Sequence, residues 1–292
     1  MLSRLLPRRV NAFMRRELAR LMSSAMPYHQ GFAPHQGTRP YVVPGRTGTP
    51  QADPVSSLPV PPQELWVGYG ATVEEYLSIG RCDVQTLERL VDASGASLAS
   101  CARILDLGCA AGRMIRWLQP LTDTCEIWGT DVDASSIVWC QQHLTPPFHF
   151  ATTTLFPHLP FEDHYFGLIY AGSVFTHIDD LADAWFLELR RVLRPGGRLF
   201  VTLHDRRTVE ILSNERDERP WVSQFRKFLT SFPEYETFSR SNFGMFSLRT
   251  PGDCQVFYDV EFLRGKLAPF FRVLSVTEEA YGYQSALLLE RV

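Results

Sequence analysis

Lysine is nearly missing from this chain: Lys227 and Lys266 are the only two among 29 basic residues, and the rest are arginine. Such a bias points to a GC-rich, bacterial coding sequence. No sign of charge dominates either. With 32 acidic residues the net charge is -3, which gives no electrostatic case for a nucleic-acid partner. No run of 18 apolar residues exists, so no transmembrane segment is expected. The six cysteines form no C-x-x-C pair, and His29, His35, His143, His149, His158 and His164 lack metal-ligand spacing. With no secretory h-region, the expectation is a cytoplasmic protein with reduced thiols and no metal site.

What is present is ordinary globular composition, 45% hydrophobic and 12% aromatic. Residues 1 to about 25 read as a basic amphipathic helix, with Val10, Phe13, Met14, Leu18, Leu21 and Met22 at helical spacing beside Arg8, Arg15, Arg16 and Arg20. A targeting peptide, a helix lying on a membrane surface, and a helix packed on its own domain share this look. From Met26 to Gln63 nine of the twenty prolines are concentrated, the mark of an extended arm. The expected division is therefore an N-terminal helix and arm over 1–63 and a larger domain over 64–292.

Inside that domain strand and helix signals alternate. Apolar strands are expected at Arg103–Leu107, Glu126–Thr130, Phe148–Ala151, Gly167–Ala171 and Arg198–Leu203, with helices between them. The pattern predicts right-handed β-α-β units on a parallel sheet. Two closing strands, Phe271–Val276 and Ser285–Glu290, are close enough to form an antiparallel pair at its edge. Between about residues 205 and 258 lies an aromatic-rich insert, read either as a lid over an acceptor pocket shared with the helix around Tyr76, or as a small core of its own.

The stretch ILDLGCAAGR, Ile104 to Arg113, carries the first chemical signal. Asp106 ends a buried strand, and Gly108 and Gly112 let the backbone turn close to a ligand. The helix expected after Gly112 would offer free N–H groups and a partial positive charge. A second acid, Asp131, ends the next strand, where a carboxylate can accept both hydroxyls of a ribose. It could also cap a helix, although Asp133 suits that task better. Ala110 stands where a dinucleotide loop has its second glycine, and the third glycine is missing, which argues against a pyrophosphate ligand.

ILDLGCAAGR followed by GTDVD resembles motif I and the second-strand acid of class I S-adenosylmethionine-dependent methyltransferases. Leu159–Asp163, the strand at Tyr165–Tyr170, the loop Ser173–Ile178 and the corner Glu188–Gly197 resemble the later motifs of that family in the right order. The resemblance covers roughly residues 100–205. It implies an α/β, Rossmann-like, doubly wound sheet of seven strands, six parallel and one antiparallel. It also implies that Asp106, Gly108 and Gly112, with the backbone of Cys109 and Ala110, hold the methionine moiety of S-adenosylmethionine. Asp131 would take the ribose, Val132 would pack on the adenine, and Thr152 would stand where the family often has an acid reading the adenine amino group. Ser173 and Val174 would line the sulfonium side. Gly167 departs from the family, which usually has aspartate there.

His177, in the loop expected to overhang the methyl group, is the candidate general base; it could instead merely order that loop. His204 is the second candidate. The function these residues imply is methyl transfer to an oxygen or nitrogen of a small-molecule acceptor. A non-catalytic adenosyl-binding scaffold and a nicotinamide-dependent oxidoreductase are the competing readings.

Overall fold

Apolar residues that alternate between two faces need a core on each side, and from Arg103 onward the chain supplies both. The computed structural model describes residues 51–52, 58–217, 219–250 and 253–292. Helix α1 (Val73–Ala93) precedes five parallel strands: β1 (Arg103–Leu107), β2 (Glu126–Asp131), β3 (His149–Thr152), β4 (Phe166–Ala171) and β5 (Leu193–Leu203). Helix α2 (Ala134–His143) joins β2 to β3, and α3 (Ala182–Val192) joins β4 to β5. An insert follows: α4 (Arg206–Ser213), α5 (Pro220–Leu229), α6 (Pro233–Arg240) and the strands β6 (Met245–Thr250) and β7 (Asp253–Tyr258). Helix α7 (Val260–Leu267), β8 (Phe271–Tyr281) and β9 (Gln284–Arg291) complete the chain.

The main sheet has the order β8-β9-β5-β4-β1-β2-β3. Only β9 runs against its neighbours, pairing antiparallel with both β5 and β8. The expected sheet of six parallel strands and one antiparallel strand is therefore the observed one. Strand order reverses between β1 and β4, so a crevice opens at their C-terminal ends, where open α/β sheets take ligands.

The pleat explains the two cores. Ile104, Leu168, Tyr170 and Phe200 face one side and meet α1 and α2 through Val84, Leu87, Ile137 and Cys140. Leu105, Ile169, Leu199 and Val201 face the other and meet α3 and α7 through Trp185, Leu189, Leu263 and Leu267. Thr72 caps α1 and Asp133 caps α2 by accepting from backbone N–H groups of their first turns.

Three sequence expectations change. The segment after the glycine loop is a 3-10 helix, Ile115–Leu121, rather than an α-helix; Pro120 within it has no N–H to donate. Strand β5 begins at Leu193, and Pro195-Gly196-Gly197 lies within it as a register shift against β4. The basic helix over 1–25 and most of the arm lie outside the described residues. The arm's end does not behave as a linker: Leu58 and Val60 are buried, and the buried Arg116 guanidinium donates to the carbonyls of Leu58 and Pro59, each at 2.9 Å.

The insert has a core of its own, built around Val209, Leu212, Val222, Leu229, Phe246 and Phe257. Tyr76 takes no part in it, stacking instead on Trp66 at 4.9 Å. The insert nevertheless leaves the sheet at the C-terminal end of β5, the ligand side.

Candidate functional site

The loop from β1 is shaped by clearance and held by β2. Gly108 has φ +77°, and a Cβ there would lie 2.4 Å from Val174 Cγ2. Ala110 also adopts a left-handed conformation, φ +44°, which costs an alanine about 1–2 kcal/mol. What holds it is the Ala110 N–H, which donates to Asp131 Oδ2 at 2.8 Å. Gly108 and Cys109 donate to the Thr130 carbonyl at 2.7 and 3.1 Å, and Gly112 donates to the Cys109 carbonyl at 2.9 Å. These N–H groups point back into the protein, so they form no anion cradle.

Asp131 receives the Ala110 N–H on one oxygen and the Asp133 N–H on the other, both at 2.8 Å. Burial raises its pKa. A carboxylate offers about four lone-pair positions, so about two remain. The helix cap is Asp133, which accepts from Ser135 and Ser136. Next to Asp131 the Val132 side chain is 51% exposed, and Thr152 stands exposed opposite Asp131 in the β2–β3 register.

Asp106 lies deeper. It is 3% exposed, and burial pushes its pKa up to about 7. The Tyr170 hydroxyl and Arg113 favour its charged form, but no well-aligned hydrogen bond closes on Oδ2. A cavity of about 40 Å³ opens beside it, floored by Gly108, Cys109 and Ala110 and roofed by Trp66, Tyr69 and Tyr281. The Tyr76 hydroxyl, a second buried polar atom without a partner, lines the same cavity. Gly112 does not reach it: a Cβ there would meet Leu144 at 2.6 Å, inside the core.

The sequence reading missed Arg113, although it closes the quoted motif. Its guanidinium lines the cavity, pairs with Asp83 at 2.6 Å, donates to the Tyr281 hydroxyl and lies 3.8 Å over the Tyr69 ring. Its partners stand far away along the chain, so no local pattern announces it.

The loop after β4 holds the remaining candidates. Ser173, in a left-handed conformation (φ +57°), donates its N–H to Thr202, and its hydroxyl accepts from Gln284 at 2.8 Å. Val174 closes on Gly108. His177 is exposed, and its Nδ1 meets the Cys254 carbonyl of β7 at 3.0 Å. A carbonyl can only accept, so Nδ1 is the donor in this contact. The Tyr258 hydroxyl donates to the Ile178 carbonyl, so the insert fastens this loop. His204 is buried at the end of β5, with neither ring nitrogen hydrogen-bonded. Gly167 leaves the space its side chain would take to the guanidinium of Arg194, the nearest atom 3.4 Å from an ideal Cβ. Among the described residues no three His, Cys, Asp or Glu cluster as metal ligands, and no helix is long and apolar enough to cross a membrane.

Residues 105–201 match the family model described as a methyltransferase domain. The chain is 36% identical over 107 residues to a demethylmenaquinone methyltransferase of Lactiplantibacillus plantarum, covering 35% of this chain and 45% of that one. It is 30% identical over 102 residues to a ubiquinone/menaquinone biosynthesis C-methyltransferase of Chromobacterium violaceum, covering 34% and 41%. The chain thus spans less than half the length of these curated relatives. Among solved structures, the PH0226 protein of Pyrococcus horikoshii shares the fold, with a TM-score of 0.52 at 17% identity over 77% of this chain and 95% of that one. Strand order, loop and family match agree, and the chain carries a class I S-adenosylmethionine-dependent methyltransferase domain.

Proposed function

We propose that this chain transfers the methyl group of S-adenosylmethionine to a small-molecule acceptor. The observation that carries this reading is the junction of Ala110 and Asp131, which ties the glycine loop to the second-strand acid at one sheet edge. It leaves lone pairs on Asp131 for the two ribose hydroxyls. Asp106 Oδ2, buried and unsatisfied beside the cavity, fits the ammonium of an amino-acid tail, and Arg113 offers a cation near the tail's carboxylate. Cys109 and Ala110 floor that end, Val132 and Thr152 flank the adenine, and Ser173 and Val174 stand on the sulfonium side. Gly112 contributes by packing.

S-adenosylmethionine supplies an already activated methyl group, so the protein's work is to position a nucleophile and exclude water. His177 Nε2 is the proposed base where an acceptor O–H or N–H must lose its proton. The chain acts in the cytoplasm, without nucleic acid, and any membrane contact is peripheral, through the basic, apolar-patterned residues 1–25. A carbon acceptor is the second reading, favoured by the name of the Chromobacterium relative.

Calorimetric titration with S-adenosylhomocysteine and with NAD tests the cofactor assignment: the first binds and the second does not, and NAD binding alone would sink it. Asp131→Ala weakens S-adenosylhomocysteine about 100-fold, because both ribose contacts and the tie to Ala110 go together, ~3 kcal/mol in all. Labelled S-adenosylmethionine offered with a cell extract identifies the acceptor by its new methyl group. With that acceptor, His177→Ala lowers turnover about 100-fold at unchanged S-adenosylhomocysteine affinity. A shared loss of both would mean that His177 only orders its loop.

A further inference from the structure

One polar side chain in the sheet's ligand edge has no structural employment. His204 is 1% exposed, and neither Nδ1 nor Nε2 has a hydrogen-bond partner. Its ring lies among three others: Phe257 at 5.0 Å, Phe225 at 5.2 Å and Tyr283 at 5.5 Å, the last stacked. Burial, with a lesser push from His177, drives its pKa down to about 3, so it is a neutral imidazole. Each unmet polar atom costs about 1–3 kcal/mol, a penalty that phenylalanine in the same place would not carry.

The rings around His204 lead in two directions. Outward, Trp221 stacks on Tyr283 at 5.0 Å, and Phe228 lies parallel to Phe225 at 6.3 Å. These outer rings are 37% and 36% exposed, so the ladder reaches the surface along one face of α5. Inward, the ladder ends on His204 itself, where the chain leaves β5 on the ligand side of the sheet. A closed core would bury its outer rings and end on an apolar side chain. This one is open outside and ends on an imidazole with unused lone-pair capacity.

We propose that this ladder is the acceptor site, and that it takes a planar aromatic molecule bearing a hydroxyl, which donates to the His204 imidazole while its ring stacks against Tyr283 and Phe225. The proposal rests on the methyltransferase reading above. Entry displaces Trp221 and Phe228, the two rings already facing solvent. His204 is a positioning residue here: it orients the acceptor, and proton removal stays with His177.

The test compares 2-naphthol with naphthalene by ligand-observed NMR titration, with and without saturating S-adenosylhomocysteine. The wild-type protein binds 2-naphthol at least about tenfold more tightly than naphthalene, since a site built around a hydrogen bond rejects the analogue lacking it. His204→Phe, which removes two unsatisfied atoms and keeps the ring, folds at least as stably and brings the ratio to about one. His204→Gln, which keeps an acceptor atom, retains part of it. Trp221→Ala, which removes a ring that entry must displace, strengthens both ligands alike. Equal binding of the two ligands by the wild type, a ratio that survives His204→Phe, or no binding of either overturns the proposal. Failure of S-adenosylhomocysteine to bind would instead overturn the cofactor reading, and the naphthol arm without it would still report on the ladder.

Discussion

Between Gly108 and Asp133 the chain is fixed through its backbone, whereas between Arg206 and Tyr258 it is fixed through rings. In the first region three residues, Gly108, Ala110 and Gly112, sit in left-handed conformations, and main-chain N–H groups reach the Thr130 carbonyl and both oxygens of Asp131. In the second, Phe246 stacks on Phe257 at 4.7 Å and meets Phe243 edge-on at 4.7 Å, with Tyr235 buried nearby. A backbone lock tolerates one arrangement and fails when a single atom is added. A cluster of rings is fixed less sharply, because apolar surfaces of similar volume can replace one another. The first suits a cofactor of constant shape; the second suits an acceptor that must enter and leave.

Gly108→Val is the sharpest way to break this contrast. Its Cβ would fall 2.4 Å from Val174 Cγ2 at a φ that branched residues avoid. Strain of about 1–2 kcal/mol for the backbone and 1–3 kcal/mol for the overlap predicts a loss of S-adenosylhomocysteine affinity between roughly 30-fold and 4,000-fold. Near-ultraviolet circular dichroism, dominated by the rings, stays unchanged. Comparable damage to both signals would show that the two regions are one cooperative unit.

Asp106→Asn comes next, and it is read through pH. In the ligand-free protein the Asp106 carboxyl titrates near 7, well above its ordinary value, because burial disfavours the charge. The folded state therefore holds this proton more tightly than the unfolded chain does. The resulting stability is complete below the ordinary carboxylate range and is lost as pH rises through about 7. Between pH 5 and pH 8 the loss is on the order of 2–3 kcal/mol, taken as wild type minus Asp106→Asn in denaturant titrations. S-adenosylhomocysteine shows the opposite trend, binding about tenfold more weakly at pH 6 than at pH 8 because its ammonium needs the ionised carboxyl. The variant binds about tenfold more weakly at pH 8 and loses that slope. A slope that persists in the variant would move the titration to another group, with Asp131, also raised by burial, the first to examine.

The same contrast explains what the sequence disclosed. Backbone demands leave local signatures: glycine where φ is positive, an acid where a strand ends, alternation where a strand is buried. The acids Asp106 and Asp131 at strand ends, the positive φ at Gly108 and the parallel strands were legible for that reason, while the count of seven strands came from the family resemblance. Arg113 was not, because its partners Asp83 and Tyr281 come from α1 and β8. Leu58 and Val60 were hidden in a proline-rich stretch, whose carbonyls are satisfied by Arg116 from the other side of motif I. The aromatics of the insert were visible as a composition, but which rings would meet His204 depends on the turn at Tyr283, far beyond the insert. Gly112 carries a packing demand that the motif does not show, since a Cβ there would meet Leu144.

Phe246→Ala is the smallest effect at the cofactor edge and tests the contrast from its other side. Phe246 is buried against Phe238, Phe243 and Phe257, so its truncation costs the insert about 3–5 kcal/mol. Because none of those rings belongs to the loop from Gly108 to Asp133, S-adenosylhomocysteine affinity should stay within about twofold. Limited proteolysis should cut between residues 205 and 258 well before the parallel strands are attacked. The tie to watch is the loop after β4, since Cys254 and Tyr258 of the insert hold the main chain of His177 and Ile178. If loosening the insert released that loop, Val174 would leave Gly108 and the cofactor would feel it. Affinity that falls in step with proteolysis would therefore make the insert a part of the cofactor site rather than a separately built neighbour.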